Sequence, residues 1–284
     1  MKFEIVLSTM FRENLSFLEA VFQEIDIENY NVLVINQTDA TKKPLVSNKQ
    51  NIRVINSFEK GTSASRNLGI QNCKAEIGLF ADDDTILKNG LEAKIVTAFH
   101  TYTDAGIITF ECVNSKGIPH TSYPEITGEH TLQSLANIHT IVIAFRKNYL
   151  HKKNILFNPY FSYKGYFSGG GEYVFLVNAY LVNTSIFHVK NVIVEHPSFS
   201  SGKAMASLEN IRSRAAKSSH YYGCFLAYVW LVKYLLFLWR KDYITFSEIS
   251  TCFYHGRKAL KDYQALYHAG KIKRQPLLRH LCLK

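Results

Sequence analysis

The sequence predicts an α/β protein with a central, mostly parallel sheet, followed by a helical, apolar and basic C-terminal extension. Over residues 1–112, short apolar runs alternate with longer amphipathic stretches. The 284 residues are 47% hydrophobic and 13% aromatic, so the chain can bury a large core and is not disordered. Residues 203–284 carry 15 Lys and Arg against four Asp and Glu, whereas residues 1–202 are nearly neutral. The basic charge therefore belongs to the extension.

The periodicity gives the elements in order. Strands are predicted at Phe3–Ser8, Tyr30–Asn36, Arg53–Ser57, Ile77–Ala81, Gly106–Phe110, Ile141–Arg146 and, as one or two strands, Ile186–Glu195. Helices are predicted at Asn14–Glu24, Thr62–Asn72, Asn89–Tyr102 and Glu172–Leu181. A loop or small subdomain is expected at Asn114–His139, and a binding loop at Phe157–Gly171. We expect a domain at 1–202, with halves at about 1–112 and 113–202, and the extension at 203–284.

The cysteines and the amino-terminal residues indicate the cellular compartment in which the protein is expected. Five scattered Cys without a C-x-x-C pair favour neither a disulfide framework nor a cysteine zinc site, so a reducing compartment is expected. The first apolar run is too short for the core of a signal peptide. We therefore expect a cytoplasmic protein.

The extension contains a strongly apolar segment, Cys224–Trp239, which only Lys233 interrupts. Its sixteen residues fall short of the roughly 20 needed to span a bilayer, but an aromatic helix followed by Arg240 and Lys241 can lie in the membrane interface. A buried core helix or a dimer contact is the alternative. The surrounding positive charge favours an anionic membrane surface as partner, at the inner face of the cell membrane. Nucleic acid is not expected, because a uniformly basic binder would not divide its charge in this way.

Three consecutive carboxylates, Asp82, Asp83 and Asp84, follow the apolar run Ile77–Ala81. Like charges this close disfavour joint ionisation unless a cation offsets them, and Mg²⁺ or Mn²⁺ with oxygen ligands would do so. An exposed loop or a helix cap is the alternative. Upstream, Gly61 opens a helix whose free amides attract anions, and Arg66 adds a permanent positive charge one turn later. An ordinary capped helix with a structural ion pair is the alternative there.

These motifs in combination resemble the nucleotide-sugar-binding half of the inverting family 2 glycosyltransferases, which have the GT-A fold. The shared pattern is a first strand ending in Ser-Thr, the run Gly-x-Ser-x-Ser-Arg-Asn-x-Gly-Ile, and then Leu-Phe-Ala-Asp-Asp-Asp. The resemblance implies an Asp-x-Asp motif with Asp84 on the metal and Asp82 on the nucleoside side of the donor. It implies the following donor-binding residues: Ser8, Thr9, Gln37, Asp39, Gly61, Arg66, Asp82 and Asp83.

The run Phe167–Leu176 resembles the acceptor-side motif of the same family, in which a glycine-rich turn precedes a helix that bears the catalytic carboxylate. The resemblance implies Glu172 as the general base, which takes the proton of the acceptor hydroxyl. A first-turn glutamate favoured by the helix dipole is the alternative. Many members have Glu-Asp where this chain has Glu172-Tyr173. The implied acceptor-binding residues are Tyr166, Gly170, Gly171 and Tyr173.

Two further groups of side chains are candidates for the site. His196 follows the last predicted strand. Some related enzymes have a His at this place near the metal or the diphosphate, and a neutral imidazole can bind a metal ion. Five aromatic residues surround the glycine-rich turn and are expected to stack on sugar rings. They are Tyr160, Phe161, Tyr163, Tyr166 and Phe167.

The sequence thus predicts a membrane-associated, metal-dependent inverting glycosyltransferase. It would move a hexosyl or N-acetylhexosaminyl group from a nucleotide-sugar donor, a UDP-sugar, to a saccharide or lipid-linked saccharide acceptor in cell-surface or capsular polysaccharide synthesis. Three alternatives stay open: a haloacid-dehalogenase-like phosphatase, because Asp82 to Thr85 resembles its nucleophile strand; a non-catalytic nucleotide-sugar or glycan-binding protein; and a nucleic-acid binder acting through the extension.

Overall fold

The computed structural model describes residues 1–163, 165–196 and 205–277. It divides the chain into two compact units, Met1–Phe157 with Phe175–Ser198, and Asn158–Val174 with Phe199–Lys284. The glycine-rich segment thus groups with the C-terminal part, which the sequence did not predict. The boundary predicted at residue 202 lies outside the described residues.

The first unit is built on a nine-stranded sheet with helices, which confirms the predicted α/β class. The order is β3-β2-β1-β4-β8-β6-β9-β5, with β7 beside β9. The strands are β1 (Phe3–Met10), β2 (Val32–Gln37), β3 (Ile52–Ser57), β4 (Ile77–Asp82), β5 (Ile86–Leu87), β6 (Ala105–Val113), β7 (Gly128–Glu129), β8 (Ile143–Arg146) and β9 (Ser185–Glu195).

Parallel pairing joins β1 to both β2 and β4, β2 to β3, and β6 to β9. Strand β8 runs antiparallel between β4 and β6, and the short β5 and β7 pair antiparallel with β9. Strands β1 and β2 are buried along almost their whole length. Continuous apolar runs such as Ile5–Leu7 are typical of strands covered on both faces.

The helices are α1 (Phe17–Val21), α2 (Thr62–Asn72), α3 (Leu91–Thr101), α4 (Lys147–Lys152), α5 (Gly171–Leu181), α6 (Leu208–Tyr222), α7 (Cys224–Arg240) and α8 (Ile249–His268). The helix predicted at Asn14–Glu24 is wrong in length, because α1 has only five residues. The chain turns after Phe22, and the Asp26 carboxylate then accepts a hydrogen bond from the Glu28 amide (3.0 Å) and caps a 3₁₀ turn.

The second unit has its own core, in which α6 packs on α7 and α8. Its fully buried members include Ile211 of α6, Leu231 of α7 and Leu260 of α8. Phe161 and Phe167 belong to the same core and have no exposed surface. The expectation that these two rings stack on sugars is therefore wrong, whereas Tyr163 and Tyr166 are more than half exposed.

Gly69 sets how closely α2 approaches the sheet. A Cβ at this position would lie 2.3 Å from Cγ1 of Val6 on β1. Such a distance is far inside van der Waals contact, so any side chain here would push the helix away. The helix that carries Arg66 thus depends on a glycine for its position over β1.

We expect Gly69→Ala to lower the free energy of unfolding by about 1–3 kcal/mol, the usual cost of overpacking, although alanine favours a helix more than glycine does. In a Val6→Ala background the same change should cost at least about 1 kcal/mol less, because the clashing methyl is gone. Urea denaturation of the four proteins measures this coupling. Additive effects would contradict the proposed contact.

Candidate functional site

The candidate donor site lies at the carboxyl ends of the parallel strands in the first unit. Ser8 on β1 is in register with Asp82 on β4, Thr9 with Asn36 on β2, and Gln37 with Ser57 on β3. Polar side chains from four neighbouring strands therefore end at one edge of the sheet. In open α/β sheets, this is the edge at which ligands bind.

The three carboxylates after β4 have three different partners. Asp82 Oδ2 pairs with Arg66 Nη2 at 3.3 Å, Asp83 Oδ2 pairs with Arg12 Nη2 at 2.8 Å, and Asp84 Oδ1 lies 3.3 Å from His196 Nε2. Guanidinium groups thus offset the charges of Asp82 and Asp83 locally, whereas His196 offsets that of Asp84 only when its imidazole is protonated. Thr9 Oγ1 also donates to Asp83 (2.5 Å), so the second carboxylate is held both from β1 and from the segment that follows it.

The surroundings of Asp82 and Asp84 shift the pKa values of these two carboxylates in opposite directions. Burial raises the pKa of Asp82, while the guanidinium of Arg66 opposes that rise. The hydrogen bond from His196 holds the pKa of Asp84 below its ordinary value, although partial burial works against it. Asp84 is also the more open of the two, because 57% of its side-chain surface is exposed against 34% for Asp82.

Arg66 is almost buried, with 8% of its surface exposed. Its guanidinium also lies over the ring of Phe157, 5.6 Å from the centroid. The backbone of Phe157 is in turn fixed by Asn67, which accepts from its amide (2.7 Å) and donates to its carbonyl (2.9 Å). The adjacent Arg-Asn pair of the motif therefore positions the charge and the surface on which it rests.

The second strand contributes through amides. Gln37 accepts a hydrogen bond from the Gly61 amide (2.6 Å) just before α2 begins, where Gly61 has φ 119°. Asn36 accepts from the Arg12 amide (3.1 Å) and donates to Asn56 (2.9 Å). These bonds join the end of β2 to β3 and to the segments that follow β1 and β3.

Asp39 lies beyond β2 on an exposed turn. Its carboxylate accepts from the hydroxyl (2.5 Å) and the amide (3.0 Å) of Thr41, and these bonds lower its pKa. Lys60 lies 3.6 Å away. Asp39 therefore caps its own turn in the first unit, and it stays a predicted donor residue.

Asp84 and His196 are the side chains that fit a divalent cation. Within the described ranges there is no group of three or more His, Cys, Asp or Glu arranged to hold a metal ion. Mg²⁺, however, commonly takes one or two protein ligands and fills its remaining positions with substrate phosphates and water. A half-exposed carboxylate beside an imidazole nitrogen suits that pattern, and Arg12 and Arg66 hold the other two carboxylates.

The second unit contains Glu172 and the predicted acceptor residues. Gly169 and Gly170 have φ of 99° and 76°, a conformation that favours glycine, and Ser213 Oγ of α6 donates to the Gly169 carbonyl (2.7 Å). Glu172 lies in the first turn of α5. Burial raises the pKa of Tyr173 to about 12, so its hydroxyl stays protonated at neutral pH.

The sequence analysis did not predict a role for three residues that lie beside the candidate donor and acceptor residues. Arg12 lies only two residues beyond β1, but nothing in the sequence shows that it returns to Asp83. Asn67 was inside the recognised motif and received no role of its own. Lys217 of α6 lies against Gly170 and over the Tyr173 ring (5.5 Å), a contact that no local pattern indicates.

Known proteins resemble this chain in sequence and in fold. Residues 13–164 match the family model described as Glycosyl transferase family 2. Among solved structures, S. aureus TarS matches with a TM-score of 0.52 and 17% identity, over 77% of this chain and 40% of that one. No curated protein sequence gives a significant match.

Two structures of S. aureus TarS 1-349 match over 96% of this chain and 93% of theirs. The TM-score is 0.55 for both, with 16% identity for one and 15% for the other, which is in complex with UDP-GlcNAc. At 15–17% identity, the similarity to the TarS structures concerns the fold alone. The present chain spans less than half of the longer TarS chain. The family match covers more than half of the residues, so the protein belongs to Glycosyl transferase family 2.

Proposed function

We propose that the protein transfers a sugar from a nucleotide-sugar donor, a UDP-sugar, to a saccharide acceptor with inversion at the anomeric carbon. The observation that carries this proposal is the division of the triplet, in which arginines hold Asp82 and Asp83 while Asp84 faces His196. The TarS complexes with UDP and UDP-GlcNAc support the choice of donor, because this chain has the same fold. Membership of a glycosyltransferase family argues against the phosphatase alternative.

In the proposed reaction, the acceptor hydroxyl oxygen attacks the anomeric carbon as the bond from that carbon to the diphosphate breaks. Glu172 accepts the hydroxyl proton. Asp84 and His196 would hold Mn²⁺ or Mg²⁺, which supplies positive charge for the diphosphate leaving group. Ser8, Thr9 and Gln37, at the ends of β1 and β2, would bind the nucleoside.

The acceptor we propose is a saccharide or lipid-linked saccharide of a cell-surface or capsular polysaccharide. The support comes from the surface of α7 in the second unit. Phe225, Val229, Val232, Leu236 and Trp239 are spaced four, three, four and three residues apart, so they form one stripe along the helix. Each of them is at least 41% exposed.

An anionic lipid surface suits this stripe better than a second copy of the helix does. A helix pair with this spacing usually carries opposite charges beside its apolar seam, but Cys224–Arg240 contains no Asp or Glu. The exposed Lys233 and Arg240 flank the stripe. In a symmetric pair these cations would repel, whereas on anionic lipid they would add to binding. No helix in the described parts of the chain is long and apolar enough to cross a membrane.

UDP with Mn²⁺ should raise the Tm of the protein by roughly 5–10 °C at a concentration of about 100 times the Kd. Asp84→Asn should remove the metal-dependent part of this rise, because the amide is a poor ligand for a hard cation. Differential scanning calorimetry with and without a chelator measures it. The matched control is Asp104→Asn, an exposed aspartate of the same unit. An undiminished shift in the Asp84 variant would exclude it as a ligand.

Glu172→Gln should leave UDP binding intact and slow transfer by roughly 10²–10⁴-fold, the usual contribution of a general base. Product formation from a radiolabelled UDP-sugar measures the rate. Glu209→Gln is the matched control, because Glu209 lies in the first turn of α6 as Glu172 does in α5. Equal rates in both variants would show that Glu172 serves only its helix. No transfer by the wild type with any nucleotide sugar would favour a binding protein.

The full chain should sediment with vesicles that contain anionic lipid, and salt should release it, because screening acts over about 8 Å at physiological ionic strength. Val232→Ser with Leu236→Ser should weaken this binding about tenfold, since less apolar area enters the lipid. Val46→Ser with Ile126→Ser, two exposed positions of the first unit, is the control. Self-association that the Val232 and Leu236 changes abolish would instead assign the stripe to a second copy.

A further inference from the structure

Two cations lie in the second unit near the start of α5, on residues that no part of the proposed reaction uses. They are Arg214 and Lys217, one turn apart on α6. The Lys217 ammonium lies so close to Gly170 that a Cβ on this glycine would fall 2.3 Å from Nζ. Gly170 immediately precedes α5, so the ammonium is placed at the amino end of that helix.

This position is electrostatically unfavourable for a cation. The amino end of a helix carries about half a positive charge, and its first amides have no acceptor within the helix. Arg214 adds a second full charge nearby. Burial, and then the charge of Arg214, lower the pKa of Lys217 to about 8, although Glu172 opposes the shift.

The protein's own groups balance this charge only in part. On α6, Arg212 forms an ion pair with Asp262 (3.1 Å), and the described residues give no such pair to Arg214 or Lys217. Arg214 donates instead to the neutral Asn210 (3.3 Å) and lies over the Tyr234 ring, 5.1 Å from its centroid. Lys217 lies over the Tyr173 ring. Glu172 contributes one negative charge against two cations and a helix terminus.

We propose that Lys217, Arg214 and the first amides of α5 form a binding site for a phosphate group beside Glu172. Phosphate suits these donors, because ammonium, guanidinium and helix-terminal amides all bind its oxygens. The glycines at 169 and 170 have no side chains to block its approach. In the proposed reaction both the acceptor, if lipid-linked or phosphate-bearing, and the donor diphosphate carry such a group. Which of these two molecules supplies the phosphate group therefore rests on the proposed function, whereas the existence of the phosphate site does not.

Titration calorimetry with inorganic phosphate at constant ionic strength tests the site. Lys217→Met and Arg214→Gln should each weaken binding about tenfold or more, as expected for a charge-assisted hydrogen bond. Lys258→Met, on the exposed face of α8, is the matched control for net charge. Lys217→Met should not lower the Tm without ligand, because it removes a partly buried charge and keeps the shape of the side chain.

Repeating the titration with UDP and Mn²⁺, and with phosphate in the presence of saturating UDP, separates the two sources. Loss of UDP affinity in the Lys217 and Arg214 variants would assign the site to the donor. Unchanged UDP affinity with weaker phosphate binding would assign it to the acceptor. Phosphate binding by both variants as tight as by Lys258→Met would overturn the proposal. A wild type that binds phosphate but not UDP would refute the proposed donor and leave the site standing.

Discussion

The candidate site depends on how the protein accommodates three adjacent carboxylates at the end of β4. Without compensation, their mutual repulsion would favour protonation or a different loop. The fold supplies Arg66 from α2, Arg12 from the segment after β1, and His196 from the end of β9. These partners are 16, 71 and 112 residues away from their carboxylates, so the triplet can be held in this form only when the sheet is complete. The requirement links the site to the order of the strands.

The same requirement gives the glycines and asparagines of the motif their physical roles. Gly69 allows α2 to lie close to β1, which positions Arg66 near Asp82. Asn67 fixes the backbone of Phe157, on whose ring the guanidinium rests. Gly61 takes a backbone conformation that favours glycine and donates its amide to Gln37. In the second unit, Gly169 and Gly170 likewise leave room next to the helix that begins with Gly171.

The sequence was sufficient for the parts of the fold in which local pattern and burial agree. Strands β1 to β4 lie within two residues of their predicted starts and ends. For β1, β2 and β4 the reason is that their apolar runs are uninterrupted and buried. The sequence was not sufficient where the burial or the pairing of a side chain depends on residues far away in the chain. Phe161 and Phe167 resemble a sugar-stacking surface in composition, yet α6, α7 and α8 bury them completely. The pairing of Arg12 with Asp83, and of Lys217 with Gly170, likewise has no sequence signal, since each joins segments far apart in the chain.

The central claim is that arginines hold Asp82 and Asp83 so that Asp84, with His196, is left for the cation of a bound nucleotide. Anomalous diffraction from crystals grown with UDP and Mn²⁺ tests it most directly, because the signal locates manganese independently of the rest of the electron density. The account predicts a manganese peak at bonding distance, about 2.1 Å, from an Asp84 oxygen and from His196 Nε2, with Arg66 and Arg12 still on their carboxylates. Manganese bound by Asp82 or Asp83 with the arginines displaced, or UDP bound without manganese, would contradict it.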